Sequence, residues 1–569
     1  MNTEQTHWIT QRLEQLQKEA VIPRLWAHDH TLWSPEPTEI SNRLGWLHCT
    51  EWMPARLHQL TALVKGLQRD GYRQAVLLGM GGSSLAPQVF RQVFGVQEGF
   101  IDLLVLDTTD PDTITSIERE IDYQKTLFIV STKSGGTVET FSLFRYFYHR
   151  CRNELTDNEV GAHFLAITDP GSTLAELAER LRFRALFLND PNIGGRYSAL
   201  SLFGMVPAAL IGIDLHTFLD QANQAVRASQ QTMLYPECHN AAAMLGATLG
   251  AMALQGKDKV TLFISPSLES FGDWVEQLLA ESSGKTGKGL LPVVREPIGS
   301  PEEYSSDRLF IYLRLSGEEQ YDDLTAALQA RGNPVLVIPI AGRYNLAEQF
   351  FYWEMATAIA CHLIGVHPFD QPNVEETKVL TRQLVATFKE SGKLPSPQPD
   401  QFTETVDVFG TTSATTPQAA MMDFLSHTRP PAYIAIQAFL PQSSTIDQAL
   451  QNLRVALRRR TGCAVTLGYG PRYLHSTGQL HKGDAGNGYF IQLTCDPQGT
   501  DLPIPDEFTS SHASLRFGDL KLAQALGDLQ ALRNQGRPVL RFHLKKDLPQ
   551  TILSLIPESA SGELPQASL

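Results

Sequence analysis

Two parallel-sheet α/β domains followed by a small α+β domain are the fold class this sequence predicts, and three observations predict it. Short apolar runs at 75–78, 103–106, 127–130 and 164–167 are separated by helical stretches, the βαβ pattern of a parallel sheet. A second alternation follows, with strands expected at 260–264, 309–313 and 335–339 and a helix over 274–281 between the first two. After a Pro/Ser-rich polar stretch the pattern restarts, with strands expected at 433–440, 489–494 and 539–544 and a long helix over 446–461.

The order of elements sets expected boundaries. Residues 1–39 read as an N-terminal helical segment, 40–215 as the first α/β domain and 216–389 as the second. Residues 390–430 read as a linker and 431–556 as the C-terminal domain, in which 462–488 is a glycine-rich segment. The tail, 557–569, is expected to be disordered. A chain of 569 residues with 42% hydrophobic content can bury several cores, which fits about three or four domains.

Charge and cysteine usage exclude several functions. The net charge of −14, with no Lys/Arg-rich block, repels nucleic acid and anionic lipid, so any anion must be captured locally. Six cysteines are scattered singly, without CxxC pairs or a Cys/His cluster of metal-ligand spacing. They read as reduced thiols of a cytoplasmic protein, and no metal site is expected. The first residues carry neither a basic leader nor an apolar h-region, and the longest apolar stretch, 241–254, is too short for a bilayer.

Local capture is what FIVSTKSGGTVET, 128–140, is suited to. A β-branched run ends in a loop of hydroxyls and glycines, Thr132, Lys133, Ser134, Gly135, Gly136 and Thr137, and then opens a helix. Hydroxyls, bare N–H groups and a helix N-terminus all direct positive charge density at one point, as a phosphate dianion requires. A second loop, GMGGSSLAP, also follows a strand and offers Gly82 and Ser83. It reads either as a packing turn or as a dinucleotide fingerprint with Asp107 as ribose ligand, although Ser84 replaces the third glycine. Both loops lie at the carboxyl edge of one sheet, where ligands of open α/β sheets bind.

Further along, the GKT in FGDWVEQLLAESSGKTGKG lacks the upstream glycine of a P-loop, because Leu279 stands there. What remains is an amphipathic helix with Gln277 and Glu281 four residues apart on one face. Glu281 sits at its end, where the helix dipole disfavours a carboxylate, an arrangement suited to a general base; an exposed surface glutamate is the plainer alternative. Arg196 follows two glycines in GGRYSALS, and Lys378 lies on a helix begun by Asp370 and Pro372; each reads alone as an ordinary surface cation.

Taken in order, GMGGSSLAP, VSTKSGGTVET, GGRYSALS, the Gln and Glu before SSGK, and FDQPNVEETK make the chain resemble the glucose-6-phosphate isomerase family. It looks most like the isomerase half of bacterial transaldolase/glucose-6-phosphate isomerase fusion proteins, with TLGYGPRYLHSTGQLHKG extending the likeness into the C-terminal domain. The resemblance implies two sugar-isomerase (SIS) type domains with helices on both sheet faces. It implies phosphate binding by Thr132, Ser134, Thr137 and the backbone around Lys133 and Gly135, and sugar contacts from Gly82, Ser83 and Gln277. Glu281 is implied as the base moving a proton between C2 and C1, Arg196 as the cation stabilising the enediolate, and Lys378 as the lysine near the ring oxygen.

The resemblance departs in one place. The family supplies a ring-opening histidine a short way after the base, but 295–312 contains none; Ser306, Asp307 or Arg308 stands there. STGQLH is similar to the missing motif and assigns that role to His481, with His475 as the second choice. The implied reaction needs no cofactor. Its implied partner is a small sugar phosphate, with a homodimer and a functional link to a transaldolase left open. The alternatives to glucose 6-phosphate isomerisation are a wider specificity that includes mannose 6-phosphate and a sugar-phosphate sensor, which would need the loops but not the base. No eightfold β/α series is present for a transaldolase barrel.

Overall fold

A computed structural model describes residues 1–395, 397–410 and 414–556; the expected disordered tail lies outside these residues. The first sheet contains β1 (Gln74–Gly79), β2 (Asp102–Leu106), β3 (Thr126–Ser131), β4 (Phe164–Thr168) and β5 (Ala185–Leu188). All its pairings are parallel, in the order β2-β1-β3-β4-β5. β3 is buried along its whole length, as expected of a strand covered on both faces. The last strand, β5, was not expected: ALFL is short, and Leu188 is exposed.

The second sheet consists of β6 (Lys259–Ile264), β7 (Leu291–Val293), β8 (Arg308–Leu315) and β9 (Val335–Ile340), all parallel, in the order β7-β6-β8-β9. Two apolar helices, Ala241–Leu254 and Leu346–Ile364, cross closely beneath it. A Cβ on Gly246 or Gly250 would come within 2.8 Å of Ile359 or 2.7 Å of Leu363, so the missing side chains set the distance between the helices.

The C-terminal part contains β10 (Gln401–Phe402), β11 (Val406–Phe409), β12 (Tyr433–Phe439), β13 (Ala464–Tyr469), β14 (Gly488–Cys495), the small β15–β16 pair (Pro503–Ile504 and Leu515–Arg516) and β17 (Val539–Leu544). The main sheet runs β10-β11-β17-β14-β12-β13. The four strands β17, β14, β12 and β13 are parallel, and β11 and β10 add antiparallel beside β17. Part of the expected linker is therefore built into this sheet, and the Pro417–Leu425 helix packs its Ala420 and Met421 into the core beneath. β13 lies in the stretch read as glycine-rich, where Gly468 and Gly470 face Tyr473 and Phe439 too closely for any side chain.

Arginines dock this part against the second sheet. From the Ser444–Thr461 helix, Arg454 donates to the carbonyls of Val294 and Arg295, both at 3.0 Å, and Arg458 pairs with Glu303 at 2.6 Å. Arg308 pairs with Glu296 at 2.6 Å, fully buried. The stretch where the family places its histidine is thus bound into this contact, and Arg308 is a structural cation at the start of β8. Among the described residues, no helix is long and apolar enough to cross a membrane.

Candidate functional site

Register brings the two glycine loops together. Gly79 of β1 pairs with Ser131 of β3, so the loops that follow leave the same sheet edge side by side. After β3, Thr132 Oγ1 lies 3.1 Å from Thr137 Oγ1, and Gly135 turns with φ of 66°. The Val138–Glu154 helix then begins at Thr137, which makes no side-chain cap, leaving the first-turn N–H groups for an anion. Ser134 and Gly136 are exposed around this turn. The Lys133 ammonium is turned away, held by Asp169 and by the Pro191 carbonyl at 2.8 Å, so this residue contributes its backbone.

The other loop fills a second need. Ser83 is nearly buried, and a Cβ on Gly82 would lie 2.0 Å from the Gly195 carbonyl oxygen, so only glycine lets the Arg196 loop approach. We expect Gly82→Ala to cost about 1–3 kcal/mol by overpacking, read as a lower melting temperature together with lost turnover. Asp107 is not open to a ribose. It accepts from Ser84 Oγ at 3.1 Å and pairs with Arg472 at 3.3 Å, which closes the dinucleotide alternative.

Glu281 lies near the end of the Phe271–Ser283 helix and retains 14% side-chain exposure. Gln277, one turn earlier, donates from Nε2 to Glu281 Oε2 at 2.9 Å and to the His475 carbonyl at 2.8 Å. Its Oε1 is buried with no hydrogen-bond partner among the described residues, an acceptor suited to a substrate hydroxyl. Arg196 Nη1 stands 3.3 Å from Glu281 Oε1. The guanidinium is oriented by Ser282 Oγ at 2.8 Å, Gln371 Oε1 at 2.9 Å and the carbonyls of Pro368 and Asp370 at 2.6 and 3.1 Å.

Lys285, which the sequence did not single out, holds the same turn through Asp370 Oδ1 at 2.8 Å and the Asp370 carbonyl at 2.6 Å. Burial, with Arg196 close by, pushes its ammonium down to about 8.

His475 completes the cluster. Its backbone touches Gly81 and Gln277, and its Nε2 meets Glu139 Oε1 at 2.9 Å. Glu139 is in the first turn after the phosphate loop, buried, and also accepts from Gln524 Nε2 at 2.7 Å. Burial would raise its pKa, but the charge and hydrogen bond of His475 outweigh that and hold it below the usual carboxylate range.

The structure does not bring His481 to this cluster. It is buried against Tyr433, Tyr473 and Phe490, its Nδ1 is 3.4 Å from Gln437 Nε2, and burial beside Lys482 and Arg537 pushes its imidazole far below its ordinary pKa. The short Gly478–Gly483 helix that carries it packs Leu480 on the end of the Glu281 helix, turning His481 inward to its own sheet. Lys378 also stands apart: 47% exposed, it pairs with Glu375 at 3.2 Å, although its charge helps lower the pKa of Glu139. The signal that could have singled out Glu139 was its place in VSTKSGGTVET, one residue into the helix that follows the hydroxyl- and glycine-rich loop. Among the described residues, no group of acidic, His or Cys side chains is arranged to hold a metal ion.

The family model for phosphoglucose isomerase matches residues 57–289, which include both loops, Arg196 and Glu281. The chain is 28% identical over 380 residues to a glucose-6-phosphate isomerase of Carboxydothermus hydrogenoformans, covering 56% of this chain and 80% of that protein. It is 28% identical over 420 residues to that of Rubrobacter xylanophilus, covering 64% of this chain and 92% of the relative. A solved structure of a hypothetical protein from Thermus thermophilus aligns with a TM-score of 0.57 at 25% identity, covering 66% of this chain and 96% of that one.

Proposed function

We infer that this chain, which belongs to the glucose-6-phosphate isomerase family, interconverts glucose 6-phosphate and fructose 6-phosphate. The observation that carries the reading is the convergence of Glu281, Arg196, Gln277 and His475 beside the loop that follows β3. A sugar-phosphate sensor would need that loop but no base held against an arginine.

The chemistry follows from the placement of the groups. The phosphate is taken by Thr132, Ser134 and Thr137 and by the open amides of the Val138–Glu154 helix. That leaves the sugar carbons to extend past Gly82 and Ser83 towards Glu281. His475 donates a proton to the ring oxygen while the C1 hydroxyl loses its proton to water, so the C1–O5 bond breaks and the free aldehyde forms. Glu139 on Nε2 fixes the ring orientation and stabilises the imidazolium, leaving Nδ1 to exchange the proton. Glu281 then removes the C2 proton and returns it to C1. Arg196 faces the negative charge that builds on the enediolate oxygens and is held in advance by five protein atoms, so little reorganisation accompanies reaction.

We assign ring opening to His475; the resemblance also implied Lys378, whose support is its charge near Glu139. The same chain supplies base and histidine, so the chemistry does not require a second copy. A homodimer, a functional link to a transaldolase and a cytoplasmic location remain parts of the proposal that the site itself does not call for.

The test is turnover of glucose 6-phosphate by the purified chain, followed through fructose 6-phosphate with a coupled dehydrogenase. Binding of sugar phosphate without product would reduce the protein to a sensor.

A further inference from the structure

The side of the Glu281 helix turned away from the substrate makes its own contact with the histidine loop. Glu276 precedes Gln277, and Ser476 follows His475. Ser476 Oγ donates to Glu276 Oε1 at 3.1 Å, while Gln277 Nε2 donates to the His475 carbonyl at 2.8 Å. Two neighbouring residues of one helix thus grip two neighbouring residues of one loop. One hydrogen bond would let the loop pivot; two adjacent ones fix its orientation. Glu281 is on the same helix, so the grip sets the base and the histidine in register across a domain contact.

Glu276 faces a polar cavity of about 340 Å³. Around it stand Asp273 on its own helix, Arg295 after β7, Asp447 and Arg454 from the Ser444–Thr461 helix, and Arg472 from the loop after β13. Two of these cations are already engaged: Arg295 with Asp273 at 2.8 Å, and Arg472 with Gln88 at 2.6 Å. Arg454 donates from Nε and Nη1 to backbone carbonyls, and its Nη2 is buried with no hydrogen-bond partner among the described residues. Among the described residues, Ser476 is the only hydrogen-bond donor to the Glu276 carboxylate.

We propose that Glu276 is a positioning residue for the isomerase reaction: its carboxylate holds Ser476 and thereby sets His475 against the sugar ring, with a grip that depends on whether Glu276 is ionised. Burial and the Asp273 carboxylate push its pKa up to about 7, against the pull of Ser476, Arg472 and Arg454. A protonated carboxyl keeps only a neutral hydrogen bond, whereas the carboxylate makes the stronger, charge-assisted one. The grip therefore tightens as pH rises through that value. This inference rests on the isomerase reading above.

Glu276→Gln keeps the size and the acceptor but cannot ionise, so the kcat of the wild type divided by that of the variant, followed across pH, is the decisive quantity. Titrations common to both enzymes cancel in the quotient. We expect it to be near one at about pH 6 and to rise to about five- to tenfold at about pH 8, with KM for glucose 6-phosphate unchanged. Ser476→Ala, which removes only one oxygen, should be slow at every pH, and adding Glu276→Gln to it should change nothing further. A quotient constant with pH, or additive losses in the double variant, overturns the proposal. An inactive wild type would overturn the isomerase reading and this inference with it; an active one with a flat quotient overturns this inference alone.

Discussion

Glu281→Gln is expected to lower kcat by about 10³-fold or more, with little change in KM, the upper part of the range for losing a general base. Gln277 can still bond the new amide, and Arg196 keeps Ser282, Gln371 and the carbonyls of Pro368 and Asp370, so the fold and the substrate grip persist. The removed element is the carboxylate that stands beside the Arg196 guanidinium. Solvent deuterium should stop exchanging into the sugar at C1 and C2 to the same extent. A variant that keeps more than about a tenth of the wild-type kcat would remove the base assignment, since that loss is below what such a group contributes.

The second large effect separates ring opening from isomerisation. His475→Asn should cost about 10²-fold on glucose 6-phosphate, which is presented as a closed ring. A substrate that cannot cyclise, such as 5-deoxyfructose 6-phosphate, bypasses that step and should lose far less. Glu139→Gln should follow the same split more weakly, because the amide no longer stabilises the imidazolium at 2.9 Å. His481→Asn, in the aromatic core of the C-terminal domain, should change the melting temperature and leave turnover per folded molecule within about twofold. Equal losses on cyclic and acyclic substrates would show that His475 does not open the ring.

Contrast between these two histidines shows what was legible. Both stand in one glycine-rich stretch six residues apart, and likeness to a motif favoured His481. The orientation of the Gly478–Gly483 helix decided otherwise: Leu480 must fill the space left by Gly284, where a Cβ would approach to 2.3 Å, and this turns His481 inward. That constraint has no local sign, because its partners lie nearly two hundred residues apart. The same holds for Glu139 and His475, which meet across 336 positions. β13 was missed for a related reason, since Gly468 within it and Gly470 just after it make room for Tyr473 and Phe439, and a strand thinned for packing carries little strand signal.

What the sequence by itself determined is whatever local geometry encodes: buried parallel strands, a hydroxyl- and glycine-rich loop that opens a helix, a carboxylate near a helix end, and the absence of basic blocks that would attract nucleic acid. These depend on neighbours a few residues away, through strand alternation, helix periodicity and the dipole of a single helix. Only the tertiary structure decided that the His475 imidazole meets Glu139, that Gln277 joins the His475 carbonyl to Glu281, and what holds Arg196. Those pairings are set by how three sheets dock, and docking is settled by steric fit and buried charge between segments that the chain order keeps far apart.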